Sequence, residues 1–268
     1  GRCKLYETDG EILKSHIFPK FIIEYMRNTG SKYLRNFSQP NRRLQDGPKG
    51  YLLSPRAEQE FSVREKWFAE NIFLPYLQEK RPKPEYDENL VYFSVSLLWR
   101  VLLIQMEDGN IHKLPFFSLL KEAEREWKFF LREYKFPRKH NRFYLFFTDR
   151  IKSHNLNIEG VDFYMTRALD ATIVSNKDGS FVAVYAKFLR FVFWAILKGG
   201  DEDKISDLRI DPIKGEFKIP QRLEAETICG FFVNRIMEIE NLPKPSISQQ
   251  SKIEDEILKD KNRFINSD

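Results

Sequence analysis

Two carboxylates spaced to share one helix face are the first residues in this sequence that could do chemistry. Glu58 and Glu65 flank Ser62 at helical spacing, so all three side chains lie on the same side if the segment is helical. Carboxylate oxygens are the ligands that Mg²⁺ and Mn²⁺ prefer. The spacing therefore indicates a candidate metal site, and Asp46 could join it, orient a histidine or simply form a turn. The alternative for Glu58 is an ordinary acid at a helix N-terminus, where the helix dipole favours it.

A basic segment runs from Ile12 to Arg56. It holds nine basic residues against two acids, Glu24 and Asp46, and so carries +7 in a chain whose formal net charge is +5. A localised basic block favours a polyanionic partner, because each Lys or Arg on a phosphate releases a condensed counterion. A solvated surface with chance clustering is the alternative. The residues predicted to bind nucleic acid are Lys20, Arg35, Arg42, Arg43 and Lys49.

Composition is that of a folded, globular, intracellular protein. Hydrophobic residues make up 42% and charged residues 31% of the chain. Cys3 and Cys229 are too few for a disulfide framework, and we see no signal peptide, so we expect a cytoplasmic protein. The most apolar stretch, 181–197, contains two charges and is too short to span a membrane, so no membrane partner is expected. The 24 Phe residues indicate a Phe-rich core or, alternatively, surfaces for base stacking.

Hydrophobic periodicity predicts the elements that must position these residues. It favours an α+β fold in three parts, which are a small N-terminal module (1–78), a larger α+β domain of mixed helix and sheet (87–245) and a charged helix or tail (246–268). The module is predicted to contain a strand over 11–17, a helix over 20–28, a loop or weak hairpin over 30–50 and a strand over 51–53. A long helix to about residue 77 is predicted to follow, with Ser54 as its N-cap and Pro55 as its first residue. The larger domain is predicted to contain helices over 88–107, 115–134 and 223–240 and strands over 143–148 and 163–174, although 164–169 could also be helical. The segment 181–197 is predicted to contain at least one more strand, and 210–219 a hairpin.

Several motifs lie between Cys3 and Ala69. A Cys-x-x-Tyr precedes Ser-His-Ile-Phe-Pro-Lys-Phe over 15–21, and Asn-Arg-Arg-Leu-Gln-Asp-Gly follows over 41–47. These motifs, with residues 61–69 and more loosely 163–170 and 185–193, resemble the bacterial HNH-like endonuclease family. The resemblance implies a treble-clef zinc finger of ββα form, in which four thiolates hold a structural zinc. It also implies a metal-dependent hydrolase that cleaves DNA rather than RNA, with His16 as general base, and it suggests a role in antiviral defence.

This sequence departs from the family at the two zinc-binding knuckles. The four knuckle positions are occupied by Cys3, Tyr6, Ser54 and Ala57. One thiolate cannot hold a structural zinc, so we expect none, with Tyr6 and Leu53 filling the space and Pro55 fixing the start of the next helix. The larger domain would then have to support the module. Ser15 stands where many HNH enzymes place a metal-binding Asp or His.

Two functions from different classes remain open. The first is a metal-dependent endonuclease, in which His16 activates water and Glu58, Glu65 or Asp46 holds Mg²⁺ or Mn²⁺. The second is a non-catalytic descendant that binds nucleic acid, or a scaffold subunit that engages a protein partner. Loss of the thiolates favours the second function, whereas retention of His16 and of the basic segment favours the first.

Overall fold

Four antiparallel strands form the central sheet. In the computed structural model, which describes residues 1–79, 83–149 and 160–261, the strands pair in the order β6-β9-β8-β7. The strands are β6 (Phe143–Phe147), β7 (Leu169–Ser175), β8 (Val182–Phe188) and β9 (Phe191–Lys198). Aromatic and β-branched residues dominate them, and these types fit a pleated, buried surface. Strands β8 and β9 are buried along almost their whole length, so both faces of the sheet must be covered.

Helices cover both faces of this sheet, and the predicted α+β class is confirmed. Helix α4 (Glu88–Met106) packs on one face and also contacts α2 (Pro55–Phe68) and α5 (Phe117–Glu133). Helices α6 (Val161–Arg167) and α7 (Glu226–Glu240) share a second hydrophobic cluster with the opposite face. The alternation of side chains along each strand divides the residues between the two clusters.

Helix α4 is the most apolar helix of the fold. Its length and its mean hydropathy of 1.4 would allow it to cross a membrane, but 72% of that window is buried inside the protein. It therefore occupies the position of a core helix. The helix predicted over 88–107 is confirmed as α4.

Residues 1–79 form two short strand pairs and three helices. Strand β1 (Leu13–His16) pairs with β4 (Lys49–Leu53), and β2 (Leu34–Asn36) pairs with β3 (Gln39–Leu44). Helix α1 (Lys20–Asn28) has the predicted bounds, and the predicted loop contains the β2–β3 hairpin. Helix α2 begins at Pro55, as predicted, although the Ser54 side chain makes no capping hydrogen bond. The helix continues through a π-helical turn over 69–73 into α3 (Leu74–Glu79).

The predicted hairpin over 210–219 was wrong. Strand β10 (Lys214–Glu216) pairs instead with β5 (Glu85–Asp87), a partner distant in sequence. The Tyr86 ring explains this choice, because it stacks on Phe217 at 4.8 Å between centroids and its hydroxyl oxygen accepts the backbone N–H of Asp211 at 3.0 Å. A tertiary contact has overridden the local turn signal.

The segment 163–174, predicted as a strand, is divided between helix α6 and strand β7. Helix α8 (Ile247–Lys259) occupies most of the charged C-terminal segment.

One hydrophobic core spans the boundary predicted at 78–87. Leu5, from the start of the chain, and Phe61 and Phe68, from α2, belong to the same buried cluster as α4 and one face of the sheet. The rings of Phe68 and Phe93 stack at 4.1 Å between centroids. Apolar burial of this kind is the support that a module without a metal would need. The division into domains stays a prediction.

Candidate functional site

The β1–β4 ribbon places His16 at the surface of the part of the fold that residues 1–79 form. His16 is the last residue of β1 and lies opposite Lys49 of β4. Along β1 the buried Ser15 alternates with the exposed Lys14 and the partly exposed His16, so the last two share the outer face. Two residues separate the strand from Pro19, which is the N-cap residue of α1. From beneath, Arg100 of α4 donates to the backbone carbonyl of His16 at 2.9 Å.

His16 contacts Asp46, which lies in the turn between β3 and β4. His16 Nε2 is 2.9 Å from Asp46 Oδ1, with side chains 19% and 39% exposed. Lys49 Nζ is 2.5 Å from Asp46 Oδ2, and the Gly47 backbone N–H donates to Oδ1 at 2.8 Å. Partial burial opposes ionisation of Asp46, but the hydrogen bonds from Lys49, His16 and Gly47 outweigh it and lower the pKa of Asp46 to about 2.

The ionised Asp46 selects one tautomer of His16. A carboxylate only accepts hydrogen bonds, so the proton of a neutral imidazole resides on Nε2 and leaves Nδ1 as the basic nitrogen. A histidine held by a carboxylate in this way can take a proton from water and remain stabilised as an imidazolium. The geometry therefore suits a general base. The sequence offered Asp46 either as a metal ligand or as a residue that orients His16, and the structure places it against the ring.

The carboxylates predicted to bind metal do not meet. Glu65 Oε1 is 2.8 Å from Arg100 Nη1, and both side chains are largely enclosed. Glu58 has one carboxylate oxygen buried without a hydrogen-bond partner in the described part of the chain. Across residues 1–79, 83–149 and 160–261, no group of three or more His, Cys, Asp or Glu side chains is placed to hold a metal ion. In this arrangement Glu58, Glu65 and Asp46 do not fit a Mg²⁺ site, and their role as ligands stays a prediction.

The positions that the resemblance equates with zinc-binding knuckles come together in the fold. The Ser54 backbone N–H donates to Cys3 Sγ at 3.3 Å, and Leu53 and Ala57 are completely buried beside them. Burial, the largest influence, would raise the pKa of the Cys3 thiol, but hydrogen bonds from Ser54 and from nearby backbone N–H groups hold it below its ordinary value. Tyr6 is partly buried and hydrogen-bonds to Glu60. The absence of zinc stays a prediction.

The residues predicted to bind nucleic acid differ in how accessible they are. Arg42 is exposed on β3, and Lys20 is exposed and pairs with Glu24 on α1 at 3.1 Å. Arg35 is partly buried. Its burial, and to a lesser extent the positive charge of the neighbouring Arg43, lowers the pKa of its guanidinium group. Its Nε and Nη2 atoms have no hydrogen-bond partner within the described ranges. The Lys49 side chain pairs with Asp46 and is only 27% exposed, whereas that of Lys20 is 70% exposed despite its pair with Glu24. Arg42 and Lys20 are therefore the side chains best placed to meet a phosphate.

Helix α8 lies against the basic β2–β3 hairpin, a contact that the sequence did not predict. Glu256 accepts a hydrogen bond from Ser31 Oγ at 2.9 Å, and its other oxygen lies 3.8 Å from Arg43 Nη2. Asn41 Oδ1 accepts the backbone N–H of Ser246 at 2.8 Å. Nothing in the local pattern of a charged terminal segment indicates where it packs. The C-terminal helix therefore moderates the charge of the surface that the sequence assigned to nucleic acid.

Arg100 is a second residue that sequence reasoning missed. It is the one basic residue in the apolar segment 88–106, and it is 2% exposed. A single charge in an otherwise apolar helix is a signal that could have found it, because such a charge must be paired when buried.

Comparison of the chain with family models, with curated proteins and with solved structures finds no match.

Proposed function

We propose that this protein binds nucleic acid through the basic segment 12–56 and hydrolyses phosphodiesters there, with His16 as the general base. The observation that carries the proposal is the 2.9 Å contact between His16 Nε2 and Asp46 Oδ1 on the outer edge of a segment with a charge of +7. In this role Nδ1 takes a proton from the water that attacks phosphorus, and Asp46 stabilises the resulting imidazolium. The bond from phosphorus to the leaving sugar oxygen breaks as the new P–O bond forms, and the leaving oxygen takes its proton from solvent water. DNA is the proposed substrate.

Basic side chains around His16 could assist both the binding of the nucleic-acid backbone and the hydrolysis step. Arg42 and Lys20 attract the backbone, while Lys49, directly opposite His16 across the ribbon, lies near the place where negative charge grows in the transition state. The HNH-like enzymes that the motifs resemble use a cation at this point. Within the described residues the carboxylates of Glu58, Glu65 and Asp46 do not form a group that could hold one, so the proposed step is the transfer of a proton from water to His16. A cytoplasmic role in antiviral defence belongs to the same proposal and rests on the resemblance alone.

A plasmid-nicking assay tests the proposal. Supercoiled plasmid is incubated with the purified protein in Mg²⁺, in Mn²⁺ and in EDTA, and nicked product is measured over time. We expect His16→Ala to slow nicking about 10²–10⁴-fold, the usual contribution of a general base. His112→Ala is the matched control, because His112 is exposed and lies outside the basic segment; this variant should nick at the wild-type rate. Nicking that survives in His16→Ala would contradict the proposal.

A second candidate function is non-catalytic binding of nucleic acid or of a protein partner. The Glu65–Arg100 pair favours it, because it gives Glu65 a structural role and removes it from the predicted metal site. This candidate predicts salt-dependent DNA binding with no nicking under any of the three conditions. Binding that is absent or independent of salt would point instead to a scaffold for a protein partner.

A further inference from the structure

The outer face of the β1–β4 ribbon carries two pairs of side chains directly opposite each other. The pairs are Lys14 with Tyr51 and His16 with Lys49. The intervening residues point inward, since Ser15 is buried and a Cβ added to Gly50 would come within 2.7 Å of the Ile104 side chain of α4. The inward face is thus packed on the core, and the outward face presents one aromatic ring among ionisable side chains.

Among the aromatic residues that the structure describes, Tyr51 is the most exposed, at 69%. Most of the aromatic rings described in this protein are buried in its two clusters. A ring in water gains free energy when a flat apolar partner covers it. An exposed tyrosine beside Lys14 and within the +7 segment therefore favours a partner that is both flat and anionic.

A nucleic-acid base next to its phosphate has both properties. Bases stack on aromatic side chains in proteins that bind single strands, whereas in a duplex both faces of each base are already stacked. Tyr51 and His16 are diagonal neighbours on this face, a relationship that places two residues about 7–8 Å apart, with their Cβ atoms somewhat closer. A base stacked on Tyr51 thus brings an adjoining phosphate towards His16.

We infer that Tyr51 is a stacking platform that makes the His16 site selective for single-stranded or locally unpaired nucleic acid. The inference rests on the proposed function, because it assigns a substrate class to the same site. It concerns binding, so it is tested separately from hydrolysis. Tyr51 is a specificity-determining residue on this account and takes no part in proton transfer.

Fluorescence anisotropy with labelled 20-nucleotide oligo(dT), oligo(rU) and a 20-base-pair DNA duplex tests the inference on the full chain. We expect the wild type to bind one of the single strands more tightly than the duplex. Tyr51→Ala should weaken single-strand binding about tenfold and leave duplex binding nearly unchanged, while Tyr51→Phe, which keeps the ring, should bind as the wild type does. Phe129→Ala is the matched control, since it removes a half-exposed ring from α5, outside the basic segment.

Each outcome decides a different claim. If the wild type binds duplex and single strands equally, or if Tyr51→Ala binds single strands unchanged, the inference fails while the proposed function stands. An equal loss in Tyr51→Phe and Tyr51→Ala overturns stacking as the cause. If the wild type binds none of the three probes, nucleic-acid binding itself fails, and the inference fails with it.

Discussion

The Nη1 atom of Arg100 lies 2.9 Å from the backbone carbonyl oxygen of His16. Arg100 belongs to the core helix α4, whereas His16 ends a strand at the protein surface. The same Nη1 atom is 2.8 Å from Glu65 Oε1 on α2. One buried guanidinium therefore ties the strand that carries the candidate base to two helices, and the position of His16 depends on the core.

Breaking this pair should destabilise the protein more than removing it entirely. Arg100→Met leaves the largely enclosed Glu65 carboxylate without its partner, so we expect the free energy of unfolding to fall by about 3 kcal/mol. The double variant Arg100→Met, Glu65→Met should recover most of that loss, because neither charge is then left unpaired. Urea denaturation of the four proteins in this cycle measures the coupling. Additive losses in the double variant would show that the pair carries no coupling energy.

Asp46→Asn tests the residue that positions His16. Because the pKa of Asp46 is about 2, the carboxylate is ionised throughout the assay range, and its stabilising charge is lost only as pH falls towards that value. The neutral amide cannot stabilise an imidazolium, so we expect nicking to slow at least about tenfold with little change in DNA affinity. Glu24→Gln removes the other acid of the basic segment and should leave the rate unchanged. Loss of DNA affinity in step with the rate would argue against a role in proton transfer.

Arg42 and Glu256 should have opposite effects on nucleic-acid affinity. Arg42→Ala removes an exposed cation and should lower the slope of log affinity against log salt by about one. Glu256→Gln removes the negative charge beside Arg43 and should strengthen binding, more so at low salt. Titrations of labelled DNA over a series of salt concentrations measure both effects. Weaker binding by Glu256→Gln would mean that α8 helps to hold the nucleic acid.

The sequence predicted local features of the site well and long-range contacts poorly. The starts of helices α1 and α2 follow from Pro19 and Pro55, residues whose backbone restrictions act within a few positions. The contact of α8 with the β2–β3 hairpin and the pairing of β5 with β10 join residues far apart in the chain, which no local pattern encodes.

The roles of the acidic residues at the candidate site could not be decided from the sequence for the same reason, because they depend on contacts between residues far apart in the chain. Asp46 follows a basic strand and could be a turn residue, a metal ligand or the partner of a histidine, and only the fold of the β3–β4 turn decides between them. Glu58 and Glu65 do share a helix, as their spacing requires. The buried Arg100 draws Glu65 towards the core, and the spacing of carboxylates on α2 carries no information about a cation on α4.

Lys187 should give folding stability a distinct pH dependence. It is completely buried in β8, where its ammonium donates to the backbone carbonyls of Ala168 and Leu189. Burial lowers the pKa of Lys187 to about 7, against the opposing attraction of Asp170. Between pH 7 and the ordinary lysine pKa, the unfolded chain holds a proton that the folded protein has released, so stability rises with pH. Below pH 7 both states are protonated and the contribution is constant.

The measurement compares the wild type with Lys187→Met by urea denaturation at each pH unit from 6 to 9. The stability of the wild type relative to this variant should rise by about 1.4 kcal/mol per pH unit above 7. The range stops below the titration of tyrosine, because burial raises the pKa of Tyr164 and Tyr185 and works in the opposite direction at higher pH. Lys198→Met, which removes an exposed lysine at the end of β9, should track the wild type at every pH. Parallel curves for the wild type and Lys187→Met would show that the buried amine keeps its proton across this range.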